Sequence, residues 1–330
     1  MDVDVTEDQE FFAQTTRKFL AAEAPITTVR ALAANPDGFE RGYWKAACDL
    51  GWTSMLAPDS GGSMLELAIV AEEMGRAVAP GPLVASNVAV HALATGASDA
   101  QQAKWLPGLL SGDLVGAWVH ETAGVVEAGA QADVFVVTTA DGARLVAADD
   151  PAVHVTPWDG LDLVRRFAHV SIDADAGEPL GEVGDLFPVA LVTQCAETCG
   201  VVERVFEMTL EYMDDRFSFG RPLSSYQALK HRVADDKMHL EACHAITTAA
   251  AYAFAEGAPN AAELAAAAKA WIGAIATEII QDCVQLHGGI GVTWEHDIHL
   301  YLRRATVNRA TYGPPAEWRE HLAQMILGAA

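Results

Sequence analysis

The second half of the chain carries helical apolar periodicity over three long stretches, 188–217, 225–256 and 260–287. Helices of that length far exceed the mean of about 12 residues in globular proteins. Each can bury its apolar stripe only against neighbours of similar length, so the pattern predicts a long helical bundle. Leu229, Val233, Leu240, Cys243, Ala250 and Phe254 form one such stripe. Two shorter helical segments, about 297–311 and 315–328, complete this half.

The first third is helical too. Thr6 followed by Gln9 has the spacing of a capping box at the start of a helix over 6–22. Further helices are expected at 38–50, 64–79, 83–94 and 99–110, with LAPDSGGS (56–63) and Pro80-Gly81-Pro82 as breaks. Between the helical regions the texture changes. Short β-branched runs occupy 134–139, 143–148, 152–156 and 168–172, with turn signals at Asp141-Gly142 and Asp159-Gly160. The expected fold is therefore mainly α with a small central antiparallel β domain. The expected domains are an N-terminal helical domain over 1–112, a short middle β domain over 113–184 and a helical bundle over 185–330.

Charge removes several function classes. Lys plus Arg number 21 against 45 Asp plus Glu, a net charge of −24. Nucleic acids and anionic membrane surfaces require a basic footprint, so neither is an expected partner. No apolar run reaches the ~18 residues of a membrane helix, and MDVDVTEDQEFF lacks the basic and apolar regions of a signal peptide. A cytoplasmic location is expected. The five cysteines, Cys48, Cys195, Cys199, Cys243 and Cys283, are too sparse for a disulfide scaffold. Cys195 and Cys199 share a helix face and read as buried small apolar groups rather than a zinc or redox pair.

Three constellations carry possible chemistry. In DDRFSFGRPLSSYQALKHRVAD (214–235) a helix breaks at Phe219-Gly220-Arg221-Pro222. Arg216 offers a fork of donors suited to a pyrophosphate, Phe219 a face for a flat heterocycle, and Gln227 both a donor and an acceptor. The same residues also suit a plain solvated helix corner. In QLHGGIGVTWEHD (285–297) the glycines end a helix and let a backbone approach a ligand, or simply cap that helix. The segment Glu295-His296-Asp297-Ile298-His299 raises a metal site, but charged residues at a helix start are ordinary capping chemistry, and no metal is expected. Glu72-Glu73 reads as a solvated or Arg-paired structural feature.

The helical–β–helical order, with FGRPLSSYQALKHRVAD and QLHGGIGVTWEHDIHLYLRR at their spacing, resembles the acyl-CoA dehydrogenase family. GWTSMLAPDSGGS followed by AEEMGRAVAPGP (51–82) extends the resemblance over essentially the whole chain. The resemblance implies bound FAD, an acyl-CoA substrate and electron-transfer flavoprotein as electron acceptor. In that chemistry a carboxylate removes the α proton while hydride leaves the β carbon for the flavin. Carried over, Arg216, Ser218 and Phe219 match the segment that meets FAD phosphates and adenine across a subunit interface. Gln227 matches a flavin-side contact. Gln285, Leu286, His287, Gly288 and Gly289 match the segment that receives the adenosine–pyrophosphate part of a neighbour's FAD. These contacts are made in trans, so an oligomer is implied.

Three departures from the family pattern bear on function. Tyr312 falls where the usual Glu base belongs, in Thr311-Tyr312-Gly313-Pro314. The alternative base position holds Ala190. The β domain is short, with GAWVHETAG (116–124) only weakly similar to the flavin-side segment and no Trp-Ile-Thr/Ser counterpart. A phenol is a poor substitute for a carboxylate, since its ordinary pKa is about 10. Short, base-lacking chains of this kind resemble partner subunits of actinobacterial heterotetrameric steroid-CoA dehydrogenases. The expectation is thus a subunit that completes an FAD site in trans for a catalytic partner, in an α2β2 assembly. The alternatives are a self-sufficient homo-oligomer with a relocated base, drawn from Glu197, Glu203, Glu317 and Glu320, or a scaffold that has lost flavin binding.

Overall fold

The computed structural model describes residues 6–120 and 125–328. The first helix, α1 (Glu7–Glu23), opens with the expected capping box, Thr6 and Gln9 each satisfying the other's backbone N–H. It is followed by α2 (Ile26–Ala31), α3 (Arg41–Asp49), α4 (Met64–Ala77), α5 (Leu83–Gly96) and α6 (Asp99–Leu110). A second capping box, Ser98 with Gln101, starts α6.

The middle region holds two small sheets. One has the order β1 (Gly116–His120), β3 (Val134–Thr139), β4 (Gly142–Ala147) and β7 (Glu178–Pro179). The other has the order β2 (Val126–Glu127), β6 (Phe167–Ile172) and β5 (Val153–Trp158). Pairing is antiparallel except between β1 and β3, which run parallel. The chain reaches β2 in the second sheet before returning to lay β3 beside β1, and a strand that returns after such a crossover is parallel to its neighbour. Glu121–Gly124 of the GAWVHETAG segment lie outside the described residues. Alternation along β1 sends Ala117 between the sheets and Trp118 into the main core. The loop 159–166 joins β5 to β6 and is longer than a two-residue turn at Asp159-Gly160. It carries Asp162 and Arg165 inward, both buried.

The remaining helices are α7 (Phe187–Asp215), α8 (Gln227–Ala255), α9 (Ala261–His287), α10 (Ile298–Ala310) and α11 (Pro315–Gly328). All five cysteines are buried and unbridged, and burial pushes the Cys195 thiol up to about 12. They serve as small core groups. Two glycines set how closely the N-terminal helices sit on the bundle. A Cβ on Gly75 of α4 would stand 1.9 Å from the Glu197 carbonyl oxygen of α7, and one on Gly200 of α7 would stand 1.9 Å from that of Glu72. Helix α4 thus meets α7 backbone to backbone, a crossing open only to glycine at both positions. Glu73 beside this crossing is buried and holds Arg17 through both carboxylate oxygens, at 2.6 and 2.8 Å. No helix among the described residues is long and apolar enough to cross a membrane.

Candidate functional site

The bundle end gathers the two motifs. Helix α7 stops at Arg216, whose backbone turns extended (ψ 118°). A two-residue ladder follows, β8 (Phe217–Ser218) with β9 (Arg221–Pro222). Its turn places Phe219 and Gly220 at φ +49° and +82°, so a bulky side chain sits in left-handed backbone at the tip. The hairpin is held from below, where the Tyr226 hydroxyl donates to the Ser218 carbonyl at 2.7 Å and the Arg221 guanidinium lies 3.9 Å over the Tyr226 ring. Helix α8 begins at Gln227, which is exposed. Arg232 of α8 holds Asp282 of α9 through Nε and Nη2, tying the start of one helix to the end of the other.

Helix α9 ends at His287, whose ring stacks on Tyr212 of α7 at 4.6 Å between centroids. That stack brings the glycine turn to the end of α7 that carries Arg216. Burial holds His287 below the usual imidazole range, so it is neutral, and Nδ1 donates to the Cys283 carbonyl at 2.8 Å. Leu286 and His287 are buried, which leaves only their backbone to a ligand, while Gln285, Gly288 and Gly289 face outward. A Cβ on Gly288 or Gly289 would meet nothing within 4 Å, so open space lies over this turn. The Arg216 side chain is exposed, with no hydrogen bond or ion pair to any described residue, and Phe219 is 98% exposed. Ser218 is half-buried. An unpaired guanidinium, an unpacked aromatic face and a bare glycine turn fit the phosphates and adenine of a dinucleotide brought in from outside.

The segment 295–299 is used structurally. Asp297 accepts from Arg30 Nε at 2.8 Å, His296 packs on His287 and His299 on Trp294. No group of three or more metal-ligating side chains occurs among the described residues.

A second feature lies away from this end. A cavity of about 880 Å³ opens between the β domain, the start of α7, the end of α10 and α11. Trp118, Phe187, Tyr312 and Trp318 form its aromatic wall, and Glu127, His120 and Glu317 also line it. The turn 311–314 thus faces a cavity, and the side chain it offers there is Tyr312. The Tyr312 hydroxyl donates to Glu127 Oε2 at 2.9 Å. Burial, reinforced by Glu127, holds the phenol well above its usual range. Ala190, where the resemblance would place the alternative base, is wholly buried in the core.

Behind Tyr312 runs a buried chain of charges. Glu127 Oε1 lies 2.8 Å from Arg165 Nη2, and Arg165 Nη1 lies 2.8 Å from Glu197 Oε2. Glu197 Oε1 accepts from Arg304 at 2.7 Å, and Arg304 Nε donates to Asp162 at 2.6 Å. Asn308 bridges within it, donating to Glu197 at 2.9 Å and accepting from Arg165 at 2.7 Å. Arg304 also donates to the carbonyls of Val78 and Ala79, so it joins the N-terminal helices, the β domain and the bundle. Burial would raise Asp162, but Arg304 and two backbone N–H groups outweigh it and hold the carboxyl below its usual range. Burial pushes Glu127 up, with Arg165 opposing. Lys269 braces the same turn, its ammonium bonded to Gln194, the Asn308 carbonyl and, at 2.7 Å, the Thr311 carbonyl. Burial lowers Lys269 to about 8.

These positions decide among the carboxylates considered as relocated bases. Glu197 is held by two guanidiniums in the core. Glu203 pairs with His244 and Lys237 between α7 and α8. Glu320 is exposed and bonds Gln324. Only Glu317 of the four lines the cavity, at its rim. Glu127 was not among the candidates. Its signal in the sequence is slight, a single acidic residue in the apolar run VVEAGA.

The family profile for the acyl-CoA dehydrogenase N-terminal domain matches residues 6–113, and that for the C-terminal domain matches residues 187–327. The chain belongs to the acyl-CoA dehydrogenase family. Acyl-CoA dehydrogenase IpdE2 of Mycobacterium tuberculosis is 33% identical over 304 residues, covering 91% of each chain. IpdE2 of Mycolicibacterium smegmatis is 30% identical over 318 residues, covering 95% of this chain and 97% of that one. Among solved structures, a chain of the ChsE4-ChsE5 complex from Mycobacterium tuberculosis superposes with a TM-score of 0.87 at 27% identity, over 99% of both chains. A chain of the G363A variant of the Tcur3481-Tcur3483 steroid ACAD shares the fold, with a TM-score of 0.88 at 24% identity and 98% coverage of both. The resemblance read in the sequence is thereby established, as is the mainly helical fold with its small central β region.

Proposed function

We propose that this chain is a subunit of an FAD-dependent acyl-CoA dehydrogenase that completes the flavin site in trans for a second, base-bearing chain. The observation that carries this reading is the contrast between the two ends of the molecule. Arg216, Phe219 and Gly288-Gly289 face outward, with no described residue packed over them. The turn expected to bear the base instead presents Tyr312, committed to Glu127. A two-chain relative, ChsE4-ChsE5, supports a heteromeric arrangement. The substrate class is a steroid-derived acyl-CoA thioester, by extension from the steroid ACAD of the same fold, and the electron acceptor is electron-transfer flavoprotein.

In this assembly Arg216 grips the pyrophosphate through its guanidinium fork, Phe219 covers the adenine, and the Gly288-Gly289 backbone closes on the adenosine side. Gln227, at the exposed start of α8, faces the flavin side, and Ser218 adds a hydroxyl. Bound flavin supplies the hydride acceptor. The α proton of a thioester is weakly acidic, so the partner contributes the carboxylate that removes it.

Co-expression with the chain encoded beside it, followed by flavin analysis of the purified complex, tests this reading. The complex should hold flavin and oxidise acyl-CoA, while the isolated chain should hold little flavin and oxidise none. Arg216→Ala should weaken flavin retention about 10–100-fold, the loss of charge-assisted hydrogen bonds worth about 1.5–3 kcal/mol. Full turnover by the isolated chain, or full flavin content in the Arg216→Ala complex, would overturn it.

A further inference from the structure

A catalytic partner that carries the base also carries the thioester being oxidised, which leaves this chain's own cavity without a ligand. The cavity measures about 880 Å³, within the range of sites for drug-sized molecules. Six aromatic side chains line it: Trp118, Trp158, Phe167, Phe187, Tyr312 and Trp318. Trp118 and Tyr312 have planes 20° apart, whereas Phe187 stands at 74° to Trp118 and at 72° to Trp318. Rings set near right angles wall a space on more than one side, and the face of each ring attracts positive charge.

The charges on the wall point the same way. The carboxylates of Glu127, Asp185 and Glu317 line the cavity with two histidines, and no lysine or arginine does so among the described residues. Glu127 is matched from behind, by Arg165 at 2.8 Å and by the field of the buried Lys269 ammonium. Glu317 is exposed and has no ion pair among the described residues. Asp185, also exposed, accepts the Phe187 N–H at 3.0 Å, so the positive start of α7, which would otherwise invite an anion, is already answered. Neighbouring guanidiniums are engaged elsewhere: Arg303 lies over Trp294 and donates to the Leu161 carbonyl, and Arg309 donates to Thr277. Aromatic faces with carboxylates at the mouth repel an anionic group and attract a cation.

We propose that this chain's own cavity binds an amphipathic organic cation, a quaternary or tertiary ammonium on an apolar body, held by the aromatic walls with Glu317 and Asp185 at the mouth. Binding is non-covalent, and no bond is made or broken. A quaternary ammonium needs no hydrogen-bond acceptor, so aromatic walls satisfy it, and the volume leaves room for a body of several rings. This inference goes beyond the trans-flavin reading and rests on it only in leaving the cavity free of the thioester.

The test compares three probes of similar size on the full-length chain, followed by ligand-observed NMR at about pH 8, where an ordinary imidazole is uncharged. The probes are benzyltrimethylammonium, its uncharged carbon isostere neopentylbenzene, and the anion phenylacetate. The cation should bind about tenfold more tightly than the isostere, and phenylacetate more weakly than both. Trp158→Leu, at a half-exposed site, should weaken the cation about 2–5-fold, the worth of one partly exposed aromatic face. Glu317→Gln should weaken it by a similar factor of about 2–5, and added salt should reduce that difference. Both side chains reach solvent, so neither change removes a core contact. Arg216→Ala should leave cation binding unchanged while lowering flavin in the complex, which separates this inference from the trans-flavin reading. An isostere that binds as tightly as the cation would show a merely apolar cavity and overturn the proposal. So would phenylacetate binding more tightly than the cation, wild-type affinity in both Trp158→Leu and Glu317→Gln, or no saturable cation binding up to about 10 mM.

Discussion

Tyr312 donates its phenolic hydrogen to Glu127 across 2.9 Å, joining the turn after α10 to strand β2. The turn in which the resemblance expects a base is thereby tied into the buried charges that run through Arg165, Glu197 and Arg304 to Asp162. Tyr312→Phe removes one hydrogen bond to a charged acceptor and leaves the ring in place. We expect a loss of about 1.5–3 kcal/mol, measured by urea unfolding with an unchanged slope.

Arg304 is wholly buried between Asp162, Glu197 and the carbonyls of Val78 and Ala79. Arg304→Met would leave Asp162 without a guanidinium and Glu197 with one of its two, and breaking a buried pair from one side costs about 3–5 kcal/mol. Arg304→Lys should rescue little, because a single ammonium cannot reproduce the fork. Thermal melts of both variants check this, and a near-native melting temperature for Arg304→Lys would contradict it.

The α4–α7 crossing has no room for a methyl group. With a Cβ placed 1.9 Å from a carbonyl oxygen, Gly75→Ala and Gly200→Ala must each push the helices apart. We expect each to cost about 3 kcal/mol or more, the upper end of overpacking. Because both act on one interface, their effects should add to less than the sum, which a double-mutant cycle resolves.

Asp236 is buried, its Oδ2 has no hydrogen-bond partner among the described residues, and burial with Asp282 nearby raises its carboxyl to about 6. A carboxyl raised in the folded state stabilises when protonated, so that contribution is full below the ordinary value near 3.9 and is lost as pH rises through about 6. Asp236→Asn should therefore stabilise the protein above pH 6 by about 2 kcal/mol, with the gain fading toward pH 4. Denaturation at a series of pH values gives the answer, and a gain independent of pH would refute it.

His244 titrates with a stability effect of its own. Burial alone would lower it, but Glu203 at 3.1 Å and Glu72 at 3.7 Å outweigh burial and hold it above the usual imidazole range. Its contribution is present below about pH 6.5 and is lost as pH rises through the folded value. His244→Gln should be most destabilising at pH 6 and approach wild type at alkaline pH.

The helices were legible because their signals are local. The Thr6–Gln9 capping box, the Pro80–Pro82 break and the apolar stripe of α8 each lie within a few residues, and the structure shows helices where they pointed. The parallel β1–β3 pair was not, since nothing in either strand records that β2 would be diverted to another sheet. The charge network was not legible either. Arg304 lies more than a hundred residues from both Asp162 and Glu197, and no periodicity links them. The helix ends at Arg216 and Gly288-Gly289 could be read because local breakers mark them, whereas the buried carboxylate at Glu127 depends on which side chains the folded chain brings behind Tyr312.

Phe219 stands almost wholly in water on a backbone conformation that costs a bulky residue energy, and Phe217, Val292 and Trp294 are exposed beside the same two motifs. A free copy of this chain therefore carries apolar surface suited to the wrong encounters as much as the right one. In the proposed assembly a second chain covers this surface, so copies made in surplus over that chain are the ones quality control is expected to remove.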